Sequence, residues 1–182
     1  MSFSARKIAL MGVMIALAIA LKLPILSIPN VEFFTFIVFS AGYLLGIYGG
    51  VFVGVISMSI YTTFVTPYGL PPLPIAFAQV LSMAIIGFGG GLVSKSARRA
   101  FDRDSHSRTT STIILMGISG LVLTLIYDLL TNLASAYVVG QFLPVMIAAV
   151  PFAFIHILSN VVIFVALTPL LLKMLPHVSG RI

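Results

Sequence analysis

IAAVPFAFIHILSNVVIFVALTPLLL, residues 147–172, runs without a single Asp, Glu, Lys or Arg. A helix of that length rises about 39 Å at ~1.5 Å per residue, more than the ~30 Å of a bilayer's hydrocarbon core. The apolar run is continuous rather than alternating, which reads as a membrane helix and not as a barrel strand. Similar segments occur at 6–26, 33–48, 50–66, 74–93 and 111–137. The expectation is an all-α integral membrane protein, with one domain of six transmembrane helices over 1–182.

Composition points the same way. Of 182 residues, 60% are hydrophobic and 8% charged, and the mean hydropathy is +1.19. A soluble domain carries about 25% charged residues. Such a chain cannot cover itself with polar surface, which excludes a cytosolic enzyme, a secreted disulfide scaffold and a disordered tail. Six spans of roughly 20 residues use about 120, leaving no room for a separate nucleotide-binding or catalytic domain. Cys is absent, so disulfides, thiolate metal sites and thiol catalysis are excluded.

Pro24 and Pro29 end the first span, and Gly49 and Gly50 are read as the break between the second and third. Thr66-Pro67-Tyr68-Gly69-Leu70-Pro71-Pro72-Leu73-Pro74 is a helix-breaking loop. Gly140 and Pro144 separate the last two spans. Arg6 and Lys7 precede span one, Lys95, Arg98, Arg99, Arg103 and Arg108 lie in the loop 94–110, and Lys173 and Arg181 follow span six. The loops after spans one, three and five hold no Lys or Arg, and Lys22 alone departs from the pattern. The positive-inside rule then places both termini and loop 94–110 in the cytoplasm. It also explains the net charge of +6 without nucleic acid as a partner. Loop 94–110 could contact anionic lipid, but topology is its plainer cause. Span one could instead be a cleaved signal peptide ending at Ala18-Ile19-Ala20; the alanines lie inside the apolar run, which favours retention.

Ionisable groups within a membrane mark function by default. Asp102 and Asp104 fall in the basic loop, leaving Glu32 and Asp128. Asp128 stands about 25 Å above the inner end of its span, and His156 and Gln79 about 13 Å and 7 Å below the outer ends of theirs. Asn132 and Asn160 follow Asp128 and His156 at i+4, on the same helical faces. Glu32 and Asn30 sit at the outer mouth before span two, and Gln141 lies in the fifth loop. Glu32, Gln79, Asp128, Asn132, His156 and Asn160 thus gather in the outer half. A conduction path would be polar throughout its depth. A one-sided cluster describes a cup for a polar small molecule. The plainer alternative is helix glue, with these groups bonded to neighbouring helices. No metal or cofactor is expected, since one membrane His with one Asp lacks the ligand set of a Zn or Cu site.

Small residues form stripes. Ala5, Ala9, Gly12, Ala16 and Ala20 share one face of span one, and Gly42, Gly46, Gly50 and Gly54 recur every four residues. Span four ends in Gly87, Gly89, Gly90 and Gly91. Smooth faces let helices approach closely, and spacing alone leaves open which are internal and which meet another protein.

Over nearly its full length the chain resembles the substrate-binding (S) components of energy-coupling factor (ECF) vitamin transporters. The resemblance rests on size, span number, the alanine stripe and several short motifs. These are Pro29-Asn30-Val31-Glu32, Pro71-Pro72-Leu73-Pro74 with Gln79, Asp128-Leu-Leu-Thr131-Asn132, and His156-Ile-Leu-Ser-Asn160. It implies a prokaryotic plasma-membrane subunit that is not an enzyme and that captures a vitamin near the outer face. It also implies docking, through Gly12, Ala16 and Ala20, on a transmembrane coupling subunit driven by two cytoplasmic ATPases. Ligand candidates are Gln79, Asp128, Asn132, His156 and Asn160, with Glu32 near the lid. The missing Trp disfavours thiamine, and the scarcity of outer cations disfavours folate. Cobalamin or a precursor, riboflavin and a queuosine-type base stay open, with a lean to cobalamin.

Two other functions compete. A channel or self-sufficient carrier would show internal repeats, and none is evident between 1–93 and 94–182. Gly117-Ile118-Ser119-Gly120 matches the G-x-S-G of rhomboid proteases, with His156 as base. Ser119 lies about 12 Å above the inner face and His156 about 17 Å, too far apart for a hydrogen bond.

Overall fold

A computed structural model describes residues 4–179 except Tyr68 and 101–104, and leaves the side chains of 97–100, 105–109 and 177–179 undescribed. Arg103, Asp102, Asp104 and Arg181 therefore lie outside the described residues, as do the side chains of Arg98, Arg99, Arg108, His106 and His177.

Six α-helices follow one another: α1 (Ala5–Lys22), α2 (Phe34–Leu45), α3 (Ile47–Ile60), α4 (Leu73–Ala100), α5 (Ser105–Val139) and α6 (Phe142–Ser179). A 3₁₀ turn, Leu23–Ile25, prolongs α1, and a π turn, Tyr61–Val65, prolongs α3. Ser4 caps α1 by accepting the Lys7 backbone N–H at 3.3 Å. Five of the six helices, their extensions included, are long and apolar enough to cross a membrane.

The exception is α2. Its 12 residues are all buried, and at 1.5 Å per residue they rise only about 18 Å. Its apolarity serves the core, where α1, α3, α4 and α6 pack around it. The break after α2 falls at Gly46, not at Gly49 and Gly50, which lie inside α3. Gly46 has φ +84°, a left-handed conformation open to glycine at no steric cost. The chain reverses there: a Cβ on Gly50 would stand 2.4 Å from the Cα of Gly42.

Loop 94–110 is shorter than expected, because α4 runs to Ala100 and α5 starts at Ser105. The last three helices, of 28, 35 and 38 residues, reach about 42 Å or more and exceed the hydrocarbon core. The break at Gly140 stands where expected, with φ +73°. Pro144 falls in the first turn of α6, where its missing N–H leaves no helical bond unmade.

Apart from Gly46, whose Cβ position is open, the glycine stripes prove to be internal. A Cβ on Gly42 would lie 2.0 Å from the Gly87 carbonyl oxygen, on Gly50 2.3 Å from the same atom, and on Gly90 2.0 Å from the Phe39 carbonyl oxygen. Helices α2, α3 and α4 therefore meet backbone to backbone. The α1 stripe is the opposite case. Ala5, Ala9, Gly12, Ala16 and Ala20 are all exposed, while Met11, Met14 and Ala18 face the core.

Candidate functional site

At one end of the bundle the close of α1, the loop behind it, the π turn, the start of α4, the end of α5 and the start of α6 surround a cavity of about 500 Å³. The start of α1, the end of α4, the start of α5 and the end of α6 lie toward the other end. Local structure holds the wall in place. Asn30 has φ +58°, a conformation that Asn tolerates better than most residues. It fastens the 26–33 loop to α6: its Nδ2 donates to the Phe152 carbonyl at 3.1 Å, and its own carbonyl accepts from Ser159 Oγ at 2.8 Å. In the π turn the Thr66 N–H reaches back five residues to the Tyr61 carbonyl, at 2.9 Å. That extra residue shifts the helical register. Tyr61 and Thr62 then turn inward, while Phe64 is 81% exposed.

A row of charges crosses the cavity floor. Lys22 pairs with Glu32 Oε2, and Thr35 Oγ1 donates to Glu32 Oε1 at 2.9 Å. Glu32 Oε1 stands 3.6 Å from His156 Nε2, and His156 Nδ1 is 2.7 Å from Asp128 Oδ1. Burial acts to raise the Glu32 pKa, but the Lys22 ammonium and the His156 ring hold it well below the usual carboxylate range. With His156 protonated, two cations alternate with two anions and the row is neutral. Aromatic faces support it: the Lys22 ammonium lies 4.5 Å from the Tyr61 ring centre, and Tyr127 meets His156 edge to face at 5.6 Å. Asp128 is 9% exposed, and its second oxygen, Oδ2, is buried without a hydrogen-bond partner. Such an atom costs free energy until a donor reaches it.

Of the residues singled out from sequence, Glu32, Gln79, Asp128, Asn132 and His156 all line the cavity. Gln79 also accepts from Thr62 Oγ1 at 3.3 Å. Asn160 does not line it. It is fully buried, and its Nδ2 donates to the His156 carbonyl one turn back, at 3.1 Å. The i+4 spacing gave its face correctly, but the floor closes above it. Gln141 is exposed and also lies outside the lining. The sequence reading left out Lys22, Tyr61 and Tyr127 as site residues. Lys22 had a signal, as the one cation out of topological pattern; the two tyrosines had none beyond ordinary span aromatics.

Ser119, the nucleophile of the protease alternative, donates to the Leu115 carbonyl at 2.7 Å, within its own helix. It sits nine residues before Asp128, about 13 Å down α5, whereas the His156 ring is engaged at Asp128 itself.

Comparison with known proteins gives one match. The family model described as "ECF-type riboflavin transporter, S component" matches residues 2–175. No curated protein and no solved structure matches the chain.

Proposed function

The chain belongs to the family of ECF-type riboflavin transporter S components, and from that premise we propose that it captures riboflavin, or a close flavin relative, in the cavity ringed by Glu32, Gln79, Asp128, Asn132 and His156. Its family makes it a multi-pass protein of the prokaryotic plasma membrane and a transporter subunit, not an enzyme. The family match lends nothing to the cobalamin expectation. A corrin ring with its nucleotide loop is also a poor fit to a cavity of about 500 Å³, which lies within the ~300–1,000 Å³ of ordinary small-molecule sites.

The observation that carries the proposal is the one-sided polar lining of the cavity by Glu32, Gln79, Asp128, Asn132 and His156, with a buried Asp128 Oδ2 that has no hydrogen-bond partner. Lys22, Glu32, His156 and Asp128 pair along one row, so the site presents a ligand with paired charges and no isolated ion. Beside that row the cavity offers the Asp128 carboxylate, the amides of Gln79 and Asn132, and the hydroxyls of Thr131 and Ser135, together with apolar lining that includes Ile25, Ile75 and Phe152. A neutral planar ring with an N–H donor and a polyhydroxyl chain answers both kinds of lining. Beneath the floor Phe34, Met83 and Phe164 are fully buried, which supports a closed cup over a channel.

The cavity end faces outward in this reading, and the end bearing the start of α1 and the end of α6 faces the cytoplasm. The open stripe of Gly12, Ala16 and Ala20 serves the transmembrane coupling subunit, with two ATPases behind it.

Quenching of flavin fluorescence on titrating the purified protein tests the proposal. Binding by the unaltered chain is expected. Asp128→Asn keeps the shape but sets an amide N–H where the ligand donor needs an acceptor. Losing a charge-assisted bond of about 1.5–3 kcal/mol weakens binding roughly 10–100-fold. No flavin complex at any concentration, with another vitamin bound instead, would replace the substrate and leave the family standing.

A further inference from the structure

Among the described residues four buried side-chain oxygens have no hydrogen-bond partner, and three of them belong to the seam between α5 and α6: Thr124 Oγ1, Asn160 Oδ1 and Asp128 Oδ2. We infer that a single water binds in this seam, bridges Thr124 to Asn160 and donates to Asp128, and so sets the carboxylate at the cavity wall.

The register of the two helices brings these groups together. They run antiparallel about the turn at Gly140, and two contacts fix their alignment. His156 Nδ1 lies 2.7 Å from Asp128 Oδ1. Two turns deeper, a Cβ on Gly120 would lie 2.9 Å from Cγ of the Phe164 ring. Thr124 stands midway between Gly120 and Asp128 on one face of α5, and Asn160 midway between His156 and Phe164 on one face of α6. Thr124 and Asn160 therefore face each other, both fully buried. Side chains lean toward the N-terminus of their helix. Asp128 leans down toward Thr124, and Asn160 leans up toward His156, whose carbonyl accepts its Nδ2 at 3.1 Å. The three unpartnered atoms thus converge on one level.

Their chemistry fits one water. On the same two helices Ser119 and Thr168 each donate to a carbonyl one turn back, whereas Thr124 Oγ1 makes no such bond. Asn160 Oδ1 and Asp128 Oδ2 only accept, and the Thr124 hydroxyl can donate. A water that accepts from Thr124 and sends its two hydrogens to Asn160 and Asp128 makes about three bonds, the ordinary number for a buried water. A carboxylate oxygen has more than one acceptor site, so the ligand donor keeps its place on Asp128. A sodium ion is the rival occupant. It would add an uncompensated charge to a row that is neutral with His156 protonated, and hard cations take about six oxygen ligands or more. Thr124 and Asn160 lie outside the cavity lining, so they act on the vitamin only as positioning residues. That role rests on the cavity being the flavin site; the water itself does not.

A crystal structure of the unaltered protein that resolves ordered water tests the site directly. One peak at hydrogen-bond range, about 2.7–3.2 Å, from Thr124 Oγ1 and Asn160 Oδ1 is expected. A dry seam, a direct Thr124–Asn160 bond, or a peak at clearly shorter distances with added backbone ligands overturns the water. Thr124→Val and Asn160→Leu remove the same bridge. Each should weaken flavin binding about 2–10-fold and lower the melting temperature by about 1–6 °C, and the double variant should lose no more than either alone. Thr168→Val removes a hydroxyl already bonded within its own helix and should leave flavin affinity unchanged. Additive losses, an equal loss of affinity in Thr168→Val, or unchanged affinity in both single variants overturns the positioning role. A higher melting temperature in Thr124→Val overturns the water, since an unpartnered hydroxyl is improved by a methyl group. Thr124→Val alone decides the matter if Asn160→Leu does not fold. An unaltered chain that binds no flavin removes the substrate reading, and the density and melting temperatures still decide the water.

Discussion

Gly87→Ala and Gly12→Ala are the same chemical change, yet their effects on stability should have opposite signs. A Cβ on Gly87 would stand 2.1 Å from the Gly50 carbonyl oxygen, 2.3 Å from its carbon and 2.9 Å from the Val51 nitrogen. Ordinary contact begins near 3.4 Å, so α3 and α4 must part by 3.4 − 2.1 = 1.3 Å at that point. The obstacle is backbone on both sides, and no rotamer can relieve it. Displacement also opens the contacts of Gly42 and Gly50 with the Gly87 carbonyl. Overpacking of a close-packed core costs about 1–3 kcal/mol, and a backbone clash belongs at or above the top of that range. At about 2–4 °C per kcal/mol for a chain of this size, the melting temperature should fall on the order of 10 °C. Gly12 has nothing within 4 Å of its Cβ position and lies mid-helix. Alanine there gains up to about 1 kcal/mol of helix propensity, a rise of a few degrees. Both variants are compared with the unaltered protein by thermal unfolding in one detergent, followed by tryptophan-independent readouts such as light scattering or soluble fraction. A Gly87→Ala protein that melts within a degree of the parent would refute the backbone contact between α3 and α4. A destabilised Gly12→Ala protein would refute the open face of α1 in the isolated subunit.

Two other outcomes follow from the site and the stripe. Lys22→Met leaves Glu32 buried without its principal counter-ion, which costs about 3–5 kcal/mol and should abolish flavin binding at ordinary protein concentrations. Lys22→Met with Glu32→Gln should recover much of the melting temperature; if the two losses simply add, the pair is not coupled as described. Ala16→Leu adds bulk to an exposed position, so folding and flavin binding should hold within about 0.5 kcal/mol. Vitamin uptake by cells carrying the coupling module should nonetheless fall at least about tenfold, since a small-residue face permits close helix approach only while it stays smooth. Normal uptake with Leu at this position would remove the stripe from the docking surface.

Much was legible in the chain itself, because membrane helices report locally. Apolar runs longer than the bilayer is thick, and Pro and Gly at their ends, depend on neighbours in sequence alone. The gathering of Glu32, Gln79, Asp128, Asn132 and His156 at one level followed from rise per residue, since spanning helices share one axis and one thickness. Tertiary structure decided everything that depends on rotation about those axes or on which faces meet. Spacing put Gly42, Gly50 and Gly54 on one stripe and Ala16 and Ala20 on another. Only packing made the first internal, through the Gly87 and Met83 carbonyls, and left the second open. Sequence reading put the break at Gly49 and Gly50, and the reversal of α3 against α2 set it at Gly46 instead. Asn160 shares the face of His156 but lies a turn deeper, beneath the floor. The link from Lys22 through Glu32 and His156 to Asp128 joins four separate segments. Ion pairing acts over a few ångströms in space and leaves no periodicity along the chain, so the fold alone could bring that row together.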